Sequence, residues 1–101
     1  MKFIVFCMYD VAKIGEVAKA SDKNSKIPGQ KLLAVYACLG KAFDGVPPNT
    51  LVSISVRETE SDDALAAALF NLTLAGATAW AVPVMEGKVG NTVAEVKKLE
   101  K

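Results

Sequence analysis

The sequence contains no histidine, a single arginine (Arg57) and two cysteines among its 101 residues. The absence of histidine excludes Ser-His-Asp and Cys-His catalytic centres, and it excludes zinc and haem sites that use an imidazole ligand. Twelve basic and eleven acidic side chains give a net charge of +1. Such a balance produces no global field that would attract nucleic acid or an anionic membrane.

The cysteines, Cys7 and Cys38, each lie inside an apolar run and form neither a CxxC motif nor a metal-ligand spacing. We expect two buried free thiols, which suit a reducing cytoplasm. No signal peptide is recognised, because the short apolar run Phe3 to Tyr9 ends at Asp10 without a convincing cleavage site. A cytoplasmic location is therefore predicted.

The segment from Ala64 to Met85 carries no charged side chain and is long enough to span a bilayer. A membrane span rarely contains both a polar residue such as Asn71 and a helix-breaking residue such as Pro83, and the composition of the segment changes at Gly76. Alanine and leucine recur at helical spacing before Gly76, and a strand-like apolar run follows it. The segment is predicted to be a buried helix, a turn and a strand, and no membrane association is expected.

The pattern of apolar residues, caps and turns predicts six elements followed by a short helix. Residues 31–43 are ambiguous, because their composition also allows a helix running to Phe43; bracketing glycines favour a strand. The elements are a strand over Lys2–Tyr9, a helix capped by Asp10 that ends near Asp22–Asn24, strands over Lys31–Leu39 and Leu51–Arg57, a helix from the Ser61 cap to Ala75, a strand over Thr78–Met85, and a C-terminal helix opened by Thr92 and Glu95.

This order indicates one α+β domain over residues 1–101, a ferredoxin-like βαββαβ fold with an added C-terminal helix. The four-stranded antiparallel sheet is expected in the strand order fourth, first, third, second, with Pro83 on an edge strand. In this fold both helices cover one sheet face. Since the first, second and fourth strands are apolar on both faces, a homo-oligomer, at least a dimer, is predicted through the open face.

The stretches MKFIVF, AVYACLG, LVSISVRE, SDDALAAALFNL and WAVPV together resemble the GYD-domain family and its uncharacterised relatives in the dimeric α+β barrel superfamily. The resemblance covers most of residues 1–90 and implies the same fold in a dimeric form. The Gly-Tyr-Asp signature is interrupted here, since Gly40 is followed by Lys41, Ala42 and Phe43. Wider relatives include cofactor-free monooxygenases, small isomerases and haem enzymes; their histidine haem ligand has no counterpart in this chain.

Five residues are candidates for a ligand site: Tyr9, Asp10, Tyr36, Arg57 and Trp80. Tyr9 and Asp10 could supply acid-base chemistry at a cavity mouth, or could simply pack at the rim and cap a helix. Tyr36 and Trp80, with Phe43, could line an apolar pocket, or could belong to the core or a dimer interface.

Arg57 could hold a carboxylate or phosphate in bidentate fashion. The structural alternative is an ion pair with Glu58, Glu60 or another nearby acid, and strand parity is interpreted as placing Arg57 on the sheet face away from the helices. No metal, cofactor or nucleic acid is expected. The sequence favours a non-catalytic, oligomeric or ligand-binding module; the alternative is a small cofactor-independent enzyme, of monooxygenase or isomerase type, acting on a small hydrophobic molecule.

Overall fold

A computed structural model describes residues 1–85 and 96–99 of the protein. A 3₁₀ turn at Val11–Lys13 precedes the first helix. The strands are β1 (Lys2–Asp10), β2 (Gln30–Ala37), β3 (Thr50–Thr59) and β4 (Thr78–Val84), and the helices are α1 (Ile14–Asn24) and α2 (Asp62–Leu74). Of the ambiguous residues 31–43, those up to Ala37 belong to strand β2, which ends two residues before the predicted Leu39, and residues 38–43 form a loop. The predicted capping box of Thr92 and Glu95 lies outside the described residues, and residues 96–99 are helical.

The sheet is antiparallel, with the order β2-β3-β1-β4. This is the predicted order, and Pro83 lies on edge strand β4 as its missing N–H requires. β1 lies inside the sheet, with its alternate side chains buried on the helix side and half-buried on the open side. β3 separates β1 from β2, so the cysteines are two strands apart and both thiols are free. The predicted strand order and the free state of both thiols are confirmed, but only Cys7 is buried, and Cys38 is half-buried.

Ser61 caps α2 as predicted, whereas Asp10 caps the 3₁₀ turn that leads into α1, and the N-cap residue of α1 itself, Lys13, makes no side-chain cap hydrogen bond. The Asp10 side chain accepts from the Ala12 backbone N–H at 2.8 Å, and the Ser61 hydroxyl accepts from Ala64 at 3.2 Å. Each cap satisfies a backbone donor that has no partner within the helix. After α2 the chain turns at Gly76, whose φ of +97° is a conformation that side-chain-bearing residues rarely adopt.

The core lies between the sheet and the helices. Alternate β1 side chains point into it, and they meet Val17 and Ala20 of α1 and Leu72 of α2; the β1 members are Val5, Cys7 and Tyr9. Across the described residues, no helix is both long enough and apolar enough to cross a membrane. The chain is thus an α+β domain of ferredoxin-like architecture, with helices on one face of a four-stranded sheet.

The two faces of β3 are the reverse of the expectation. Ser55 and Arg57 pair with Val5 and Phe3 of β1, which face the helices, while Ile54 and Val56 pair with Phe6 and Ile4 on the open face. The prediction that Arg57 lies away from the helices is therefore wrong. Alternation along the strand correctly places Arg57 on the face opposite the valine and isoleucine side chains. The apolar set is expected to face the helices because it is apolar, but the set that contains Arg57 faces them instead.

Candidate functional site

A cavity of about 160 Å³ lies between α1 and the sheet. One wall is a face of α1, whose lining residues are three or four positions apart, as residues on one helix face are. The floor consists of side chains of β1 and β3. Apolar groups come from Ile14, Val17, Ala18, Val35 and Leu72, and polar groups come from Tyr9, Ser21, Ser53, Ser55 and Arg57. The cavity therefore has an apolar part and a hydrogen-bonding part.

Arg57 is the charged residue of this cavity, and its side chain is buried, with 3% of the residue exposed. Its Nε donates to the Ser55 hydroxyl at 3.0 Å, and its Nη1 is buried without a hydrogen-bond partner. Burial lowers the pKa of the guanidinium, and the neighbouring Cys7 partly opposes this. An arginine nevertheless stays charged at neutral pH.

Neither Glu58 nor Glu60 pairs with Arg57, so the expected local ion pair is wrong. Glu58 is the next residue of the strand and points to the opposite face, where it is exposed. Glu60 is exposed beyond the end of β3. Within residues 1–85 and 96–99, Arg57 forms no salt bridge.

Cys7 and Tyr9 complete the polar floor. Burial raises the pKa of the Cys7 thiol to about 11, although Arg57 lowers it in part, so the thiol is neutral at physiological pH. The Tyr9 hydroxyl lies 3.2 Å from the Ser53 hydroxyl, in hydrogen-bonding contact. The floor therefore offers one cation, hydroxyls and a neutral thiol, and its lining contains no carboxylate.

The structure brings together two of the five candidate residues, Tyr9 and Arg57, at this cavity. Asp10 is exposed and caps the turn before α1. Tyr36, on edge strand β2, is 61% exposed on the open face. Trp80 lies on the same face and stacks on Phe6, with ring centroids 5.3 Å apart. The candidates are thus divided between two sides of the sheet.

The open face carries an aromatic cluster beside aliphatic side chains. Phe43, from the loop between β2 and β3, contacts the Trp80 ring edge-on at a centroid distance of 6.4 Å. The row Tyr36, Ile54, Phe6 and Trp80 crosses all four strands. The neighbouring row, Ala34, Val56, Ile4 and Val82, is apolar throughout, so the sheet presents a second candidate site, of an interface type.

Sequence reasoning missed three residues. Ser53 and Ser55 are not among the candidate residues, and they line the cavity. Asn24 was placed in a fading helix end, but it is fully buried and bonds to α2. The sequence contains a signal for the serines, because their spacing of two positions from each other and from Arg57 places all three on one face of the strand. A buried arginine needs polar neighbours, which the serines supply. No group of three or more potential metal-ligating side chains occurs in the part of the chain that the structure describes.

The fold and the two sites define a small ferredoxin-like α+β domain. The chain is similar to the C-terminal domain of the MgtC protein from Mycobacterium tuberculosis, with 11% identity, a TM-score of 0.60, and coverage of 86% of this chain and 93% of that one. It is also similar to a DUF3240 family protein from Shewanella baltica, with 12% identity, a TM-score of 0.51, and coverage of 87% and 94%.

At these identities the likeness concerns the fold alone. No model of a known protein family matches the chain, and no curated protein matches it.

Proposed function

We propose that the protein is a non-catalytic binding module that pairs with a second copy through the open sheet face and holds a small ligand on the helix side. The observation that carries the pairing is the orientation of β3. Its apolar side chains, Val52, Ile54 and Val56, point away from the helices, while Arg57 and two serines point toward them.

This orientation would be unfavourable for an isolated domain. Each apolar side chain left in water forgoes about 1.5–3 kcal/mol of burial free energy, and Ile54 and Val56 are only half-buried. A second sheet stacked about 10 Å away would cover them, as in other face-to-face packings of sheets. A second copy presents the same flat apolar surface, so the two faces match in shape and polarity.

The resemblance to the GYD-domain family supports the same arrangement, because that family belongs to a superfamily of dimeric α+β barrels. The two free thiols support the proposed cytoplasmic location.

Light scattering of the full chain at micromolar concentration tests the pairing. We expect twice the chain mass of 10.7 kDa, and we expect Tyr36→Lys to weaken association at least tenfold. Tyr36 is 61% exposed on the open face, so a lysine is tolerated in the monomer but desolvated in the pair. The emission of Trp80, the single tryptophan, should shift to the red in the variant.

The matched control is Phe70→Lys, which adds the same charge at a residue of α2 that is 62% exposed. We expect this variant to pair like the wild type. A monomeric wild type would contradict the proposal, and so would an equal loss of pairing in both variants, since the interface would then involve the helix layer.

The alternative function, a small cofactor-independent enzyme, has one supporting observation, the meeting of Tyr9 and Arg57 at a cavity. General acid-base catalysis at neutral pH needs a group that exchanges protons there. The lining includes no carboxylate, the chain has no histidine, and the Cys7 thiol is held neutral. The cavity therefore favours binding over catalysis.

A further inference from the structure

Among residues 1–85 and 96–99, no carboxylate pairs with the buried guanidinium of Arg57. Arg57 lies in the cavity floor with 3% of the residue exposed, and its single side-chain hydrogen bond goes to the neutral Ser55 hydroxyl. Transferring an unpaired charge out of water costs several kcal/mol. Nη1 is buried without a hydrogen-bond partner, so an anion bound at the guanidinium would compensate a charge that the described residues leave unpaired.

The surrounding groups do not supply this anion. Cys7, the group whose charge acts on Arg57, is a neutral thiol at physiological pH because burial disfavours its thiolate. Glu58 points to the opposite face of the sheet. An anion that pairs with Arg57 must therefore come from outside the described residues.

We propose that the cavity binds a short-chain aliphatic carboxylate, with its carboxylate on the Arg57 guanidinium and its alkyl chain against α1. This inference rests on the proposed function and specifies the chemical class of the small ligand. The carboxylate pairs with the guanidinium of Arg57, which lines the cavity, and Ser53 and Ser55 lie in the same floor. The chain contacts the apolar wall formed by Ile14, Val17 and Leu72.

Charge and size define this class. One cation neutralises one negative charge, so a phosphate dianion would leave a charge unpaired in a partly apolar site. A volume of about 160 Å³ corresponds to roughly five water-sized groups, which matches a carboxylate with three or four carbons. The apolar wall gives the alkyl chain a favourable contact that a compact inorganic anion cannot make.

Titration of the full chain with sodium butanoate, followed by heteronuclear NMR, tests the proposal. We expect saturable shifts of resonances from α1 and β3, and at least tenfold weaker binding of butanamide, which has the same shape without charge. Inorganic phosphate should also bind at least tenfold more weakly than butanoate. Equal affinity for butanoate and butanamide, or tighter binding of phosphate, would overturn the assignment.

Two variants locate the site. Arg57→Gln removes the charge, and we expect at least a tenfold loss of butanoate affinity. Because a buried substitution can impair folding, Ala18→Phe serves as the second variant; Ala18 is an exposed residue of α1 that borders the cavity, and the larger ring obstructs it. Ala66→Phe, at an exposed position of α2 that does not line the cavity, is the matched control.

We expect Ala18→Phe to lose butanoate binding at least tenfold and Ala66→Phe to retain it. Retention of binding in Ala18→Phe would place the ligand elsewhere and overturn the proposal. The outcome is independent of pairing through the open face, because light scattering reports that interface and the titration reports the cavity.

Discussion

Asn71 donates a hydrogen bond from Nδ2 to Oδ1 of Asn24 across 2.8 Å, and this contact joins α2 to α1. Asn24 is fully buried, and its own Nδ2 donates to the Ala68 carbonyl at 3.0 Å. Its backbone carbonyl accepts from the Gln30 side chain at 2.9 Å, at the start of β2. One asparagine at the end of α1 thus fixes both the helix pair and the entry to the next strand.

Asn24→Ala should lower the free energy of unfolding by about 1–3 kcal/mol, because it leaves buried polar groups without partners. Lys23→Ala, at the exposed neighbouring position, should change it by less than about 0.5 kcal/mol. Urea unfolding of both variants measures the difference. Equal stability of the two variants would show that the Asn24 bonds contribute nothing.

Asn24→Asp should be more damaging at neutral pH than Asn24→Ala. The carboxylate cannot donate to the Ala68 carbonyl, and burial disfavours its charge. A raised pKa in the folded state means that the variant regains stability as the pH falls and loses it as the pH rises through that pKa. Unfolding curves at several pH values, compared with the wild type, check this slope, and a flat difference would contradict it.

Two glycines should respond in opposite directions to replacement by alanine. Gly76 has a φ of +97°, so Gly76→Ala should cost about 1–2 kcal/mol from backbone strain. Gly15 lies within α1, where an added Cβ meets nothing within 4 Å, so Gly15→Ala should stabilise by about 0.5–1 kcal/mol. Thermal unfolding separates them, since about 1 kcal/mol moves the midpoint by roughly 4–8 °C in a domain of this size. Changes of the same sign would contradict the argument.

The two thiols should differ in reactivity. At pH 8 we expect iodoacetamide to modify Cys38 faster than Cys7, because Cys7 is 6% exposed and its pKa of about 11 leaves little thiolate. Cys38→Ser should abolish the fast phase, and unfolding should release two thiols in the wild type. Fast modification of both native thiols would contradict the burial of Cys7.

The burial of the Cys7 thiol also makes the stability of the fold depend on pH. The pKa of Cys7 is raised from 9.0 to about 11 in the folded state. Its contribution to stability is therefore fully present below pH 9 and is lost as the pH rises through about 11. Cys7→Ala removes this titration, so the stability difference between the wild type and the variant should shrink over that interval.

Local features of the sequence predicted most of the framework. The continuous apolar run of β1 indicated a buried strand through the burial of its side chains. Ser61 indicated the start of α2 and Gly76 its end, because both act on nearby backbone groups. Pro83 was consistent with an edge strand for an equally local reason, its missing N–H. The order of elements then limited the sheet to a familiar topology, which the structure has.

The candidate site depended on tertiary structure. Alternation along β3 divides its side chains into two sets, but both sets obey the same alternation, and only packing against α1 and α2 decides which set is inward. That decision put Arg57 with Ser53 and Ser55 in the cavity, and left Ile54 and Val56 on the open face. The gap between α1 and the sheet that forms the cavity, and the burial of Asn24 between the helices, likewise arise from contacts between elements far apart in the chain.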